Sequence, residues 1–290
     1  MRTVIVHYHL FKNAGTTVDG ILNRNFPGEA HGHLEGPYPW STVSSNEILD
    51  FALSKADLRV ISSHQARLPL PQHPSVTFVP VLFLRHPIDR FASVYEFERR
   101  QPADSLSPSV AVARNGNLAA FAEWTVAREA TAVCRNFQVA HLAGAQSDMR
   151  YARATHDDYL QALAHLKSLP FFGMVESFEE SLDSLQEFVR PHMGELNIDF
   201  LIENVSPGRK ATLESRLEHI ESELGASLYR ELLELNALDL LLYHEAKHMF
   251  AANRARLRNV HEASSATGRK TLWQRIAQNF RRGANSAERA

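Results

Sequence analysis

Apolar and β-branched residues crowd three short stretches in the first third of the chain: Thr3 to His9, Leu58 to Ser63 and Thr77 to Leu84. Nearly continuous apolar runs of this length suit parallel strands covered on both faces, where strict alternation would mark a half-exposed sheet. The first run is followed by the turn-forming Lys12-Asn13-Ala14-Gly15 and then by Thr16 and Thr17, which can open a helix through Leu22. The third run ends at Arg85, and Pro87 stands where a helix begins, with Phe91, Val94, Tyr95 and Glu98 continuing at helical spacing. Between the first two runs, Phe26 to Trp40 is rich in Gly, Pro and His and has no period, so it reads as an irregular loop.

From Leu118 onward the pattern is mostly helical, with helices expected over 118–128, 131–142, 156–166, 178–193, 212–223 and 228–250 and one short strand over 171–175. Strands that alternate with helices early, followed by helices, predict an α/β domain: a parallel sheet flanked by helices with a largely helical C-terminal part. The domain is expected over residues 1–255. Residues 256–290 form a linker of Ala, Ser, Thr and Gly and then a basic amphipathic segment, RKTLWQRIAQNFRR.

Composition narrows the class. A chain of 290 residues with 44% hydrophobic and 22% charged residues can bury a sizeable core. Its net charge of −2 argues against a general nucleic-acid binder, so any anion site is local. The single cysteine, Cys134, excludes an internal disulfide and fits a reducing, cytoplasmic compartment, packed as a small apolar residue in a helix. The opening MRTVIVHYHLFKNAG is broken by two histidines and a lysine before it could form a signal or a membrane span, and VTFVPVLFL and ALDLLLY are too short to cross a bilayer.

The loop FKNAGTT joins a strand to a helix, so the free N–H groups of the helix start and the helix dipole favour an anion there. Neither a Walker A loop nor a G-x-G-x-x-G fingerprint is present, since Lys12 precedes Gly15. On geometry alone an ordinary strand-to-helix turn is the better reading of the loop.

The residues His9-Leu10-Phe11-Lys12-Asn13-Ala14-Gly15-Thr16-Thr17 resemble the H-x-P-K-T-[AG]-G-T-S loop of carbohydrate sulfotransferases that use 3'-phosphoadenosine 5'-phosphosulfate (PAPS). Arg85-His86-Pro87-Ile88-Asp89-Arg90-Phe91-Ala92-Ser93-Val94-Tyr95 resembles the same family's R-[DNH]-P-x-x-R-x-x-S-x-Y segment. The likeness continues through Asn136-Phe137-Gln138, His141-Leu142-Ala143-Gly144, Phe172 to Phe178, Asn204-Val205-Ser206 with Arg209 and Lys210, and Asn236 to Asp239 with Leu242-Tyr243. It covers about residues 1 to 250 and is similar to the uronyl/heparan-type 2-O-sulfotransferase group and its bacterial relatives. Phe11, Asn13 and Thr17 depart from the usual Pro, Thr and Ser without removing a charge.

The resemblance implies a P-loop-NTPase-like fold and a sulfotransferase that moves a sulfuryl group from PAPS to a hydroxyl of a carbohydrate-like acceptor, leaving adenosine 3',5'-bisphosphate (PAP). It implies that Lys12, Asn13, Ala14, Gly15, Thr16 and Thr17 hold the 5'-phosphosulfate, with Lys12 also neutralising the leaving oxygen. Arg85 and Ser93 hold the 3'-phosphate, and Arg209 and Lys210 belong to a late nucleotide loop. A sulfuryl group carries less charge than a phosphoryl group, so no metal is expected. His64, just past the second strand, is the expected general base, since histidine as a residue type suits the task and the resembled family places a G-H base there. His31 and His33 are the reserves, with solvent-exposed loop polarity as their other reading.

Two rivals come from other classes. His244-Glu245-Ala246-Lys247-His248 matches H-E-x-x-H on an expected helix, the signature of a zinc peptidase, though no clear third ligand follows. A non-catalytic nucleotide-binding relative is the other, opposed by the presence together of Lys12, His64, Arg85 and Ser93. The tail, residues 269–282, puts Leu272, Trp273, Ile276, Ala277 and Phe280 on one face amid five basic residues. It suits peripheral contact with an anionic membrane at the inner face, or packing on the domain or on a second subunit.

Overall fold

The computed structural model describes residues 2–127, 132–144, 153–199 and 212–255. Residues Arg209 and Lys210 and the whole basic tail lie outside them. The chain divides into two compact units, Met1–Lys247 and His248–Ala290; in the second, residues 248–255 are helical.

The first unit opens with β1 (Arg2–Tyr8), whose Val4, Ile5 and Val6 are fully buried. Burial of each such side chain contributes about 1.5–3 kcal/mol, which explains why the run is apolar on both faces. Helix α1 (Gly15–Asn25) follows, then a short edge strand β2 (His31–His33) and helix α2 (Ser45–Ser54). The start of α2 is fixed by a capping box in which Ser44 and Glu47 satisfy each other's backbone N–H groups. Strands β3 (Val60–Ser63) and β4 (Val76–Leu84) complete the central sheet, and Pro87 opens α3 (Pro87–Arg99) as the sequence predicts.

Helices α4 (Pro108–Asn115), α5 (Leu118–Ala127), α6 (Phe137–Leu142) and α7 (His156–Ser168) come next. They lead to β5 (Gly173–Met174), α8 (Phe178–Met193) and α9 (Leu213–Leu235), and helical residues 237–247 close the unit. The sheet order is β2-β3-β1-β4-β5 and every pairing within it is parallel. Parallel strands need crossover connections; helices supply those from β1 to β2, β2 to β3 and β4 to β5, while residues 64–75 join β3 to β4 without one.

One core cluster packs α1 and α8 on the sheet, through Val18, Ile21, Leu22, Leu182, Leu185 and Val189 against Ile5, Val60, Val79 and Phe83. A second gathers α3, α4, α5 and α9 around Ile88, Phe91, Val94, Phe121, Leu224 and Leu232. Among the described residues no helix is long and apolar enough to cross a membrane.

Several expectations change. The loop over 26–40 contains β2, so His31 is buried on a strand and not solvent-exposed loop polarity. The helix expected over 131–142 is a 3-10 turn at Ala132–Cys134 and a separate α6, because Asn136 sits between them at φ 43°. Cys134 is therefore buried in that turn and not in a helix, and burial pushes its thiol up to about 11. The helix expected over 228–250 is broken at Asn236, whose amide donates back to the carbonyls of Cys134 and Leu232. The break expected between Glu223 and Leu228 is present at Gly225, φ 74°.

Candidate active site

Because β1, β3 and β4 run parallel, their C-terminal ends lie on one edge of the sheet. The segments that leave them are the loop from His9 to Ala14, the residue His64, and Arg85. In open α/β sheets this edge is where ligands bind.

The first loop has unusual backbone geometry. Lys12 and Ala14, neither of them glycine, take positive φ of 65° and 62°. Such conformations cost of order 1–3 kcal/mol each and persist where the surroundings enforce them. Three side chains do so by capturing the loop from behind. Arg85 donates to the Lys12 carbonyl at 2.8 Å, and Arg90 to the Phe11 carbonyl at 3.4 Å. The Asn13 amide donates to the Phe83 carbonyl and to Gln138 Oε1, both at 2.8 Å. With the carbonyls drawn inward, the N–H groups of Lys12, Ala14, Gly15 and Thr16 have no partner among the described residues. The Asn13 N–H donates to the Leu10 carbonyl at 3.1 Å, so the free run is Ala14 to Thr16 with Lys12 beside it, and such N–H groups at a helix start form an anion-binding nest.

Asn13 explains one departure from the family pattern. Its two N–H donors bridge β4 and α6, which a threonine hydroxyl with one donor cannot do. Gln138 also holds Arg85 at both backbone groups, 3.0 and 2.9 Å. The start of α6 is in turn capped by Asp239, whose carboxylate accepts from the Gln138 and Val139 N–H groups at 3.1 and 2.8 Å.

Lys12 lies over the Phe97 ring, 4.9 Å from its centroid. Burial lowers its ammonium to about 8, assisted by the positive charges of Arg85 and Arg100. Arg85 is buried and spends three of its donors on Asp89 and the Lys12 carbonyl, leaving two of the five that a guanidinium carries. Asp89 is shared with Arg216 of α9 at 2.7 Å. Ser93 is half-buried on α3, and Thr16 is exposed on α1.

His64 leaves β3 with its side chain half exposed, and its Nδ1 stands 2.9 Å from Glu35 Oε1. The same carboxylate oxygen accepts the His64 backbone N–H at 2.8 Å. This fixes Nδ1 as the protonated nitrogen and leaves Nε2 free to take a proton, the arrangement of a histidine base held by a carboxylate. The His64 ring stacks on the His9 ring at 4.0 Å. His9 in turn lies so close to α1 that a Cβ on Gly15 would stand 2.0 Å from its Cδ2. The base and the nest are therefore separated by one imidazole.

Beneath them Asp19 of α1 meets His7 Nδ1 at 2.6 Å, His9 Nδ1 at 2.8 Å and the Ser62 hydroxyl at 2.6 Å. Burial opposes its ionisation, but the hydrogen bonds from His7 and His9 outweigh that and hold its carboxyl far below the usual range. His31 reaches the same network through Ser62 at 2.8 Å, and burial lowers it to about 4. His33 stacks on His31 at 4.9 Å and is exposed. Two ligands of one zinc ion, each bonded at about 2 Å, stand roughly 3.3 Å apart. The 2.6 and 2.8 Å separations here are those of direct hydrogen bonds. His7, His9 and Asp19 form the one close group of three such side chains among the described residues, and it does not include His244 or His248.

Sequence reasoning brought Lys12, the nest, His64 and Arg85 to one place and missed Glu35, Asp19, Asp89 and Arg216. Only Asp89 carried a signal, four residues after Arg85 on a helix.

A family model described as "Sulfotransferase family" matches residues 1–244. An uncharacterized protein of Archaeoglobus fulgidus is 34% identical over 254 residues, covering 86% of this chain and 98% of that protein.

Proposed function

We propose a specific reaction for this chain, which belongs to the sulfotransferase family: transfer of a sulfuryl group from PAPS to a hydroxyl of a carbohydrate-like acceptor. The observation that carries this reading is the meeting of a carboxylate-held histidine, His64 with Glu35, and the Lys12–Thr16 nest across a single imidazole. The unpartnered N–H groups of the nest supply donors for a 5'-phosphosulfate, and Lys12 is the cation of the same loop. The two uncommitted N–H groups of Arg85, with Ser93 further along α3, are assigned to the 3'-phosphate.

In the reaction the acceptor oxygen attacks sulfur in line with the bridging oxygen. A new O–S bond forms as the S–O bond to the phosphate breaks, and its electron pair stays on the departing phosphate. Lys12 neutralises that growing charge, and Nε2 of His64 takes the hydroxyl proton. Glu35 accepts the Nδ1–H throughout, which keeps the ring in register and offsets the imidazolium charge.

The test is acceptor-dependent formation of PAP from PAPS across a panel of glycans and small alcohols. His64→Ala is expected to slow turnover by about a hundredfold or more with nucleotide affinity nearly unchanged, because the base acts on the acceptor. Failure of every acceptor, or full activity of His64→Ala, would refute the reading.

A further inference from the structure

His9 is not explained by the reaction as written above. It occupies the ground between the general base and the nest, 8% exposed, with its Cδ2–Nε2 edge against Gly15, the first residue of α1. Its Nδ1 is committed to Asp19, and its Nε2 has no partner among the described residues and is not sealed from solvent. Because Asp19 can only accept, Nδ1 carries the proton and Nε2 presents a bare lone pair at a helix start where an anion would sit. A lone pair facing an oxyanion repels it. A protonated Nε2 donates to it.

We infer that His9 binds the donor as an imidazolium: when the 5'-phosphosulfate enters the nest, Nε2 takes one proton from solvent and donates it to an anion oxygen, with Asp19 at Nδ1 as the counter-charge. The inference rests on the reading of residues 12 to 17 as the donor site and adds to it a residue and a proton. The groups that face His9 are Asp19 from α1, His7 from β1 and His64 from the end of β3. Without nucleotide, burial lowers His9 to about 4, against the hydrogen bond to Asp19, with His7 and His64 adding to the decrease. A bound anion raises it, so uptake occurs on the alkaline side of that value.

Titration calorimetry of the full chain with PAPS in two buffers of different ionisation heat, between about pH 5 and 7, counts the protons taken up per nucleotide. The donor's own 3'-phosphate titrates in the same range, but it is common to all variants and cancels in their difference. Wild type is expected to take up close to one proton more than His9→Gln. Asp19→Asn, which removes the counter-charge with little change of shape, is expected to lose the same proton, whereas His64→Gln keeps it. Equal uptake by wild type and His9→Gln, or loss of the proton in His64→Gln alone, would overturn the role of His9. Absence of binding by wild type would overturn the donor site itself and this inference with it.

Discussion

Gly15→Ala is the sharpest perturbation of the site that leaves every polar group in place. The new methyl would stand 2.0 Å from His9 Cδ2 and 2.2 Å from Nε2. Moving from 2.0 Å to an ordinary contact at 3.4 Å requires a shift of 1.4 Å. The ring cannot swing aside freely, since Nδ1 is bonded to Asp19 and its faces meet His64 and His7 at 4.0 and 5.2 Å. Overpacking of this kind costs about 1–3 kcal/mol. Gly20, on the same helix, has nothing within 4 Å of its Cβ position, so Gly20→Ala gains about 1 kcal/mol of helix propensity without a clash. The two substitutions are thus expected to differ by about 2 kcal/mol or more, roughly 4–8 °C in melting temperature. A displacement near 1 Å of the group that backs His64 is expected to lower turnover by about a hundredfold. Thermal denaturation and acceptor-dependent PAP formation read both effects, and adding His9→Ala to Gly15→Ala should recover stability by removing the clash. If Gly15→Ala were as stable and as active as Gly20→Ala, the ring would not lie over α1 and the coupling of base to nest would be wrong.

Other consequences follow from the same geometry. Ala14→Gly should stabilise the chain by about 1 kcal/mol in denaturant unfolding, because the left-handed φ costs alanine and not glycine. Lys12, lowered to about 8, loses its charge as pH rises through that value, so kcat/KM for PAPS should fall above about pH 8 and Lys12→Arg should move that limb to higher pH. Asp89→Ala leaves Arg85 and Arg216 without their shared carboxylate and should cost about 3–5 kcal/mol of stability in the same unfolding assay, with weaker PAP binding in the folded fraction.

The parts of the site that were legible in the sequence are those written on one continuous segment. A strand, a loop and a helix start follow one another from Thr3 to Leu22 and again from Thr77 to Tyr95, so period and turn chemistry place Lys12, Gly15 and Arg85 without knowledge of the rest of the fold. The same pattern puts His64 just past a strand end, while its reading as a base came from the family resemblance. Glu35 was not, because it stands in an aperiodic segment and reaches His64 only through the pairing of β2 with β3, a three-residue edge strand whose His-Gly-His has no strand pattern. Asp19 reads as a polar position on a helix; its partners come from β1, the loop just past it and β3. The break at Asn136 is set by tertiary hydrogen bonds, since Asn136 exchanges bonds with Asn236 and Asp239 a hundred residues away. Local propensity carries no trace of that.

The most direct test of the donor assignment is titration of the full chain with PAP and, separately, with AMP, which has the 5'-phosphate and lacks the 3'-phosphate. Two anion sites, one at Lys12–Thr17 and one at Arg85 and Ser93, predict that PAP binds and raises the melting temperature, that AMP does so far more weakly, and that Arg85→Ala erases most of the difference. Equal binding of PAP and AMP by wild type would contradict the account.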